Sequence, residues 1–368
     1  MYIDADAHVD ENPDTWSYIP KSLAQMRPAE VEIAADQVPH LHGNRAEAGV
    51  GGWLVDGRIL SRAQRDDEQT QTTADIRHLR DIPGRLRHMD ELGIETQVLF
   101  PTMLVAEVTD RAEVELALCE SYNRWIADRC SESNGRLRWV AVLPNLSIPD
   151  ALKEMRRVKK AGAVGITKRP MECDRRRAGT EYFHPLYEQA QELDLAYNMH
   201  IGQPFLGYSG FLTVTRQVMK GEFYMEDAFI SIVMSKTYEK FPRLRFGFIE
   251  AGAGWLPSVL HIAKWNDAHR GGGSVTDALP ALSPTRWKDF LEETNLFVTV
   301  DATEDIQDLL SKVGDSNLMV GTDYGHSDRS SVLYGHRDVA ERSHLSKATA
   351  IKLTETNARR LYGLPAAA

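Results

Sequence analysis

The chain has 368 residues, 42% hydrophobic and 26% charged, enough for a large packed core and too apolar for a disordered protein. Its 43 basic and 53 acidic residues leave a formal charge of −10, which argues against a polyanionic partner such as nucleic acid. No apolar run reaches the roughly 18 residues of a membrane span, the first residues lack the basic and apolar regions of a signal peptide, and Cys119, Cys130 and Cys173 show no CxxC spacing, so a cytoplasmic protein without disulfides is expected.

In chain order, the opening "YIDADAHV" (2–9) alternates polar and apolar residues with period two and predicts a strand. On a regular strand Asp4, Asp6 and His8 would line one face. Residues 10–75 read as an insertion, in which "GGWLVDGRIL" predicts a hairpin with Asp56-Gly57 at its turn. "IRHLRDIPGRLRHMDELGI" (76–94) then leads into a helix. Further β-rich runs follow at 96–102, 138–145, 163–170, 196–202, 245–252, 296–302 and 318–326. Amphipathic stretches such as 110–130, 149–162 and 225–241 lie between them. Strand–helix alternation implies parallel strands with right-handed crossovers. Eight such units predict a (β/α)8 TIM-type barrel in one domain, 1–368, with a long insertion after the first strand. That insertion, and the connection 203–224, should emerge at the C-terminal mouth where such barrels keep their active sites.

Polar residues end the strands. Asp6 and His8 close the first run, His200 the fifth in "NMH", Glu250 the sixth in "FIE" and Asp323 the eighth in "GTD". Barrel strands are buried on both faces, so an inward polar side chain is costly unless paired or metal-bound. Two imidazoles and three carboxylates around one mouth point to a metal site, of a composition that suits Zn, Mn or Fe(II) better than Ca or Mg. Asp4 lies deeper on the same row and reads as structural, and Glu11 as an outer partner. His326, in "GTDYGHSD", either swings back over the mouth or pairs with Asp328 or solvent. Arg169 could clamp a substrate carboxylate or sit in an ordinary pair. Trp255 is a second candidate for substrate contact. Lys168 lines the mouth or pairs with an acid.

With these residues in place, the sequence resembles the amidohydrolase superfamily, in its branch containing the aminocarboxymuconate-semialdehyde and hydroxybenzoate decarboxylases. "IDADAHVDENPDTW", "ELGIETQVLFPT", "NRWIADRC", "GRLRWVAVLP", "FPRLRFGFIEAGAGWLP", "GTDYGH" and "NARRLYGL" are similar to its blocks and span nearly the whole chain. The resemblance implies that Asp6, His8, His200 and Asp323 hold a divalent metal, and that Asp323 also carries a proton in the hydrolases. In one respect the chain departs from the branch: Glu250 stands where the best-known decarboxylases have a histidine that acts beside the metal.

Three functions follow as expectations. The first is a mononuclear enzyme that decarboxylates or hydrolyses a small carboxylated or carbonyl substrate, with zinc ahead of manganese or iron and with Glu250, Asp323 and His326 as the catalytic groups. The second is a dinuclear Fe/Mn-type oxygenase, implied by other members of the branch, with Glu250 and His326 holding a second ion. The third is a metal-bearing, non-catalytic subunit paired with a paralogue. The expected partners are a small-molecule substrate and further copies of this chain or a paralogue, with neither nucleic acid nor membrane.

Overall fold

The computed structural model describes residues 1–33, 50–61, 65–202, 222–262, 287–327 and 330–366. Its strands are β1 (Tyr2–Val9), β2 (Ala29–Ile33), β3 (Val50–Val55), β4 (Arg58–Ser61), β5 (Ile94–Pro101), β6 (Leu137–Val142), β7 (Gly165–Lys168), β8 (Met171–Glu172), β9 (Arg176–Arg177), β10 (Ala196–His200), β11 (Phe246–Ile249), β12 (Leu296–Val300) and β13 (Leu318–Val320). Eight of them form one parallel sheet in the order β1-β5-β6-β7-β10-β11-β12-β13. These are the eight runs the sequence marks out. The sheet closes on itself where the amide of His8 donates to the Tyr324 carbonyl (2.9 Å) and that of Asp323 to the Asp6 carbonyl (2.9 Å).

Helices fill the crossovers. Ile82–Leu92 starts where the Asp81 side chain accepts from the Gly84 amide, and ends at Gly93 with φ 74°, a left-handed stop that glycine adopts without strain. Ala112–Ser131, Ile148–Lys160 and His184–Glu192 follow in later crossovers, without a side-chain N-cap. One apolar layer packs between strands and helices, with Leu99, Ala141, Ile166, Tyr197, Met199 and Phe248 on the strand side. A second fills the barrel with Val98, Phe100, Val140, Ile249, Phe297 and Met319. Among the described residues no helix is long and apolar enough to cross a membrane.

The first strand departs from the expected row. Asp4 pairs in register with Gln97 and Ala7 with Leu99, so two residues, Ala5 and Asp6, stand against Val98 alone. This is a β-bulge, and bulges re-aim side chains. Ile3 and Ala5 pack in the barrel interior, whereas Ala7 and Val9 belong to the outer layer. Asp4 therefore faces outward with its register partner Gln97, and His8 faces inward with Phe100. Only Asp6 and His8 of the opening trio reach the mouth.

Within 10–75, β3 and β4 form the expected hairpin. Asp56 and Gly57 have φ of 48° and 75°, the two left-handed residues a type I′ turn requires. β2 adds a third antiparallel strand. Trp53 packs edge-on against Trp16, both buried.

Candidate metal centre

β1 and β10 each deliver one imidazole. His8 directs Nδ1 to the Pro101 carbonyl (3.0 Å) and His200 directs Nδ1 to the Ile201 carbonyl (2.6 Å). A carbonyl only accepts, so both Nδ1 atoms carry the proton and both Nε2 atoms present lone pairs. Yet the two Nε2 atoms lie 3.1 Å apart. Around them stand Asp6 Oδ1 (3.3 Å from His200, 3.5 Å from His8), Glu250 Oε2 (3.4 and 3.8 Å) and Asp323 Oδ1 (3.5 Å from His8). Five acceptors converge here, nearly all out of water.

The electrostatics agree. Burial alone would raise Asp6, but His200 and His8 hold its carboxyl well below the usual range. Burial pushes His8 down, toward the neutral ring. Burial also opposes charge on His200, yet Asp6 and Glu250 prevail and raise it. The carboxylates thus favour a positive charge among them. Donors about 2.0–2.1 Å from a tetrahedral ion lie roughly 3.3–3.4 Å from one another, close to the separations found here. Histidines that spend their other nitrogen on a carbonyl are typical metal ligands. The residues present fit a divalent cation.

Two of these acids stand on unusual backbone. Glu250 and Asp323 have φ of 66° and 52°, left-handed conformations that cost a non-glycine residue about 1 kcal/mol or more and concentrate at functional sites. The amide of Glu250 donates to Thr299 Oγ1 (2.8 Å), and its Oε1 accepts from the Ser330 hydroxyl (2.8 Å). At Gly321, an added Cβ would lie 2.5 Å from Asp6 Cβ. Only glycine leaves room for Asp6.

His326 does swing back over the mouth. Its ring stacks on that of His8 at 4.0 Å, Nδ1 lies 2.6 Å from Asp323 Oδ1, and Nε2 lies 2.9 Å from Thr102 Oγ1. The expected partner Asp328 lies outside the described residues, as does 203–221 of the long connection. Asp4 takes the Thr322 amide (3.0 Å) and hydroxyl (2.7 Å), stitching β1 to the end of β13, and burial raises its carboxyl to about 7.

Other candidates stand apart. Arg169 is buried, with Nη1 on the Ala106 carbonyl (2.8 Å) and Nε 3.4 Å from Glu172, so its guanidinium is engaged within the protein. Trp255 donates its indole N–H to the Gly252 carbonyl (2.8 Å) and packs on Phe229 of the helix Glu222–Met234, a placement that supports packing rather than substrate contact. Lys168 pairs in register with Met199, on the outer face, and sets its ammonium 3.8 Å over the Phe183 ring. It points away from the centre.

Sequence reasoning missed Thr102, Ser330 and Arg85. Arg85 is fully buried and donates to the His8 carbonyl (3.0 Å) and Gln97 (2.8 Å). It comes from a helix that reads as ordinary amphipathic sequence, so no local pattern marks it.

Comparison with known proteins agrees with this fold. The Amidohydrolase family model matches residues 3–364. A gamma-resorcylate decarboxylase from Rhodococcus jostii is 26% identical over 308 residues, 76% of this chain and 87% of its own length. Another from a Rhizobium species is 26% identical over 312 residues, 77% and 87% of the two chains. An amidohydrolase from Mycobacterium avium subsp. paratuberculosis superposes with a TM-score of 0.74 at 17% identity, over 98% of this chain and 99% of that one. A 5-carboxyvanillate decarboxylase from Novosphingobium aromaticivorans, solved with bound manganese, superposes at 0.66 and 16% identity, over 99% and 97%. At such identities the solved structures speak for the fold. With a family match running over nearly its whole length, the chain belongs to the amidohydrolase family.

Proposed function

We propose that this protein is a metal-dependent decarboxylase of a small carboxylic acid, working at the mouth of the barrel. The observation that carries the reading is the pair of Nε2 lone pairs on His8 and His200, 3.1 Å apart and ringed by carboxylates. The similarity to gamma-resorcylate decarboxylases supports decarboxylation as the reaction. Asp6, His8, His200 and Asp323 would hold the ion. A bound divalent cation supplies electron withdrawal from the substrate's oxygens.

The remaining work falls to the protein. When the bond to the carboxylate breaks, CO2 leaves without the electron pair, and the carbon left behind takes a proton. Glu250 is placed to deliver it, beside His200 and steadied by Ser330. His326 and Asp323 form a second polar pair at the mouth, Nδ1 to Oδ1 at 2.6 Å. The Thr102 hydroxyl donates to the Val9 carbonyl (2.8 Å), so it accepts from His326 Nε2. Nδ1 would then face Asp323 Oδ1 acceptor to acceptor unless a proton lies between them.

The described parts of the insertion, 10–33, 50–61 and 65–75, would cap this mouth. In support, Asp56 at the hairpin turn takes the Thr109 hydroxyl and Arg111, both following β5, Arg65 pairs with Asp10 just past β1, and the Asp66 amide donates to Ser327 beyond β13.

A second reading has its own observation. His8, Asp323 and His326 form a second donor set beside that of Asp6, His8, His200 and Glu250, sharing His8 with it, and an ion between His326 and Asp323 would relieve their contact as a proton does. This is the dinuclear oxygenase. The test incubates protein loaded with Zn, Mn or Fe(II) with a panel of hydroxylated benzoates and other small carboxylic acids, following CO2 release and O2 uptake. CO2 release without O2 uptake, at one metal per chain, is expected. Oxygen consumption at two metals per chain would establish the second reading instead.

A further inference from the structure

We infer that Thr102 is a positioning residue for His326, and that the buried carboxylate of Glu11 holds Thr102 in place. The inference rests on the reading that His326 acts at the site, and it holds for either the one-metal or the two-metal form.

Glu11 lies just past β1 and is 2% exposed. Its carboxylate collects three successive backbone amides: Thr102 (3.2 Å) and Met103 (2.8 Å) on Oε2, and Leu104 (3.2 Å) on Oε1. Burying an acid is expensive, and successive amides converging on an anion form the kind of nest that offsets the cost. The chain turning out of β5 is thereby fixed at its first residue beyond the strand.

That residue has one hydroxyl hydrogen and two neighbours. The Val9 carbonyl, 2.8 Å away, can only accept, so the hydrogen goes there. The oxygen lone pair is then left for His326 Nε2 at 2.9 Å, which fixes this nitrogen as N–H and aims Nδ1 at Asp323. The path runs from Glu11 through three amides, a hydroxyl and an imidazole to a residue of the metal cluster. A carboxylate that served only to close the loop would leave the Thr102 side chain without consequence, and the two ideas part there.

The test compares Thr102→Val, which removes the hydroxyl at nearly constant volume, with Thr102→Ser, which keeps it. In zinc-loaded protein carrying 15N-histidine, long-range 1H–15N NMR reads the His326 tautomer. Wild type and Thr102→Ser should show Nε2–H, and Thr102→Val should lose that signature. On an accepted substrate Thr102→Val should lower kcat about 10- to 100-fold, the usual effect of removing an outer partner, with KM within about twofold, and Thr102→Ser should recover most of it. Glu11→Gln, whose amide turns a donor toward the nest, should produce the same NMR change, and it stands in for Thr102→Val should that variant fail to fold. An unchanged tautomer and unchanged kcat in both Thr102→Val and Glu11→Gln would overturn the inference. A changed tautomer with no CO2 release from any variant, wild type included, would instead sink the decarboxylase reading and leave the positioning role standing.

Discussion

His8 and His200 meet through their Nε2 atoms at 3.1 Å, each with Nδ1 committed to a backbone carbonyl. Two lone pairs at that distance repel unless a proton or a metal ion lies between them. Removing one ring removes the reason for the arrangement. His200→Ala should therefore lose bound metal, measured by elemental analysis after gel filtration, while circular dichroism shows the barrel still folded. Full metal retention would exclude His200 as a ligand.

Glu250 separates the two mechanistic readings. If it transfers a proton, Glu250→Gln keeps one metal equivalent and lowers turnover about 10²- to 10⁴-fold, the usual worth of a general acid or base. If it is a metal ligand instead, Glu250→Gln and His326→Ala each lose one equivalent and spare the other. Metal counts on the two variants decide this without a substrate.

Gly321 tests the packing behind Asp6. A methyl group there would sit 2.5 Å from Asp6 Cβ, well inside contact distance. Gly321→Ala should push Asp6 off its position, weaken metal binding in a titration, and cost about 1–3 kcal/mol in denaturant unfolding, as overpacking does. Wild-type metal affinity in that variant would show that Asp6 is not a ligand.

Glu115 governs a pH dependence away from the mouth. It accepts from the Leu146 amide (2.8 Å) beside a small cavity shared with Arg169 and Glu172. Burial raises its carboxyl to about 8, against the pull of Arg169. Between the ordinary carboxylate range and pH 8 the folded protein keeps a proton that the unfolded chain has released. Its contribution to stability is therefore greatest at low pH and declines as pH rises toward 8, by an amount on the order of a few kcal/mol. Glu115→Gln keeps the acceptor for Leu146 and removes the ionisation. It should match wild type in urea unfolding at pH 5 and exceed it at pH 8.5. Parallel curves at both values would show that Glu115 ionises normally.

Much of this molecule is legible along the chain because its causes are local. Eight apolar runs at strand length, separated by helical periodicity, mark the eight barrel strands, and Asp56-Gly57 marks its own turn because both residues tolerate positive φ. The strand-end residues Asp6, His8, His200, Glu250 and Asp323 could be picked out because a polar side chain is anomalous there. Other features arise only from pairing across the sheet. The period-two reading of "DADAH" placed Asp4 with Asp6 and His8, but β5 offers one residue, Val98, against Ala5 and Asp6, and the resulting bulge turns Asp4 outward. Lys168 likewise reads as a mouth residue and Arg169 as a substrate clamp or an ordinary pair, yet pairing with Met199 sends Lys168 to the helix layer and Glu172 engages Arg169. His326 returns over the centre because Thr102, more than 200 positions away in sequence, accepts from its ring. A local pattern sets which elements form and which residues are costly to bury. The facing direction of a side chain depends on what lies across the sheet, and that information is carried by distant residues.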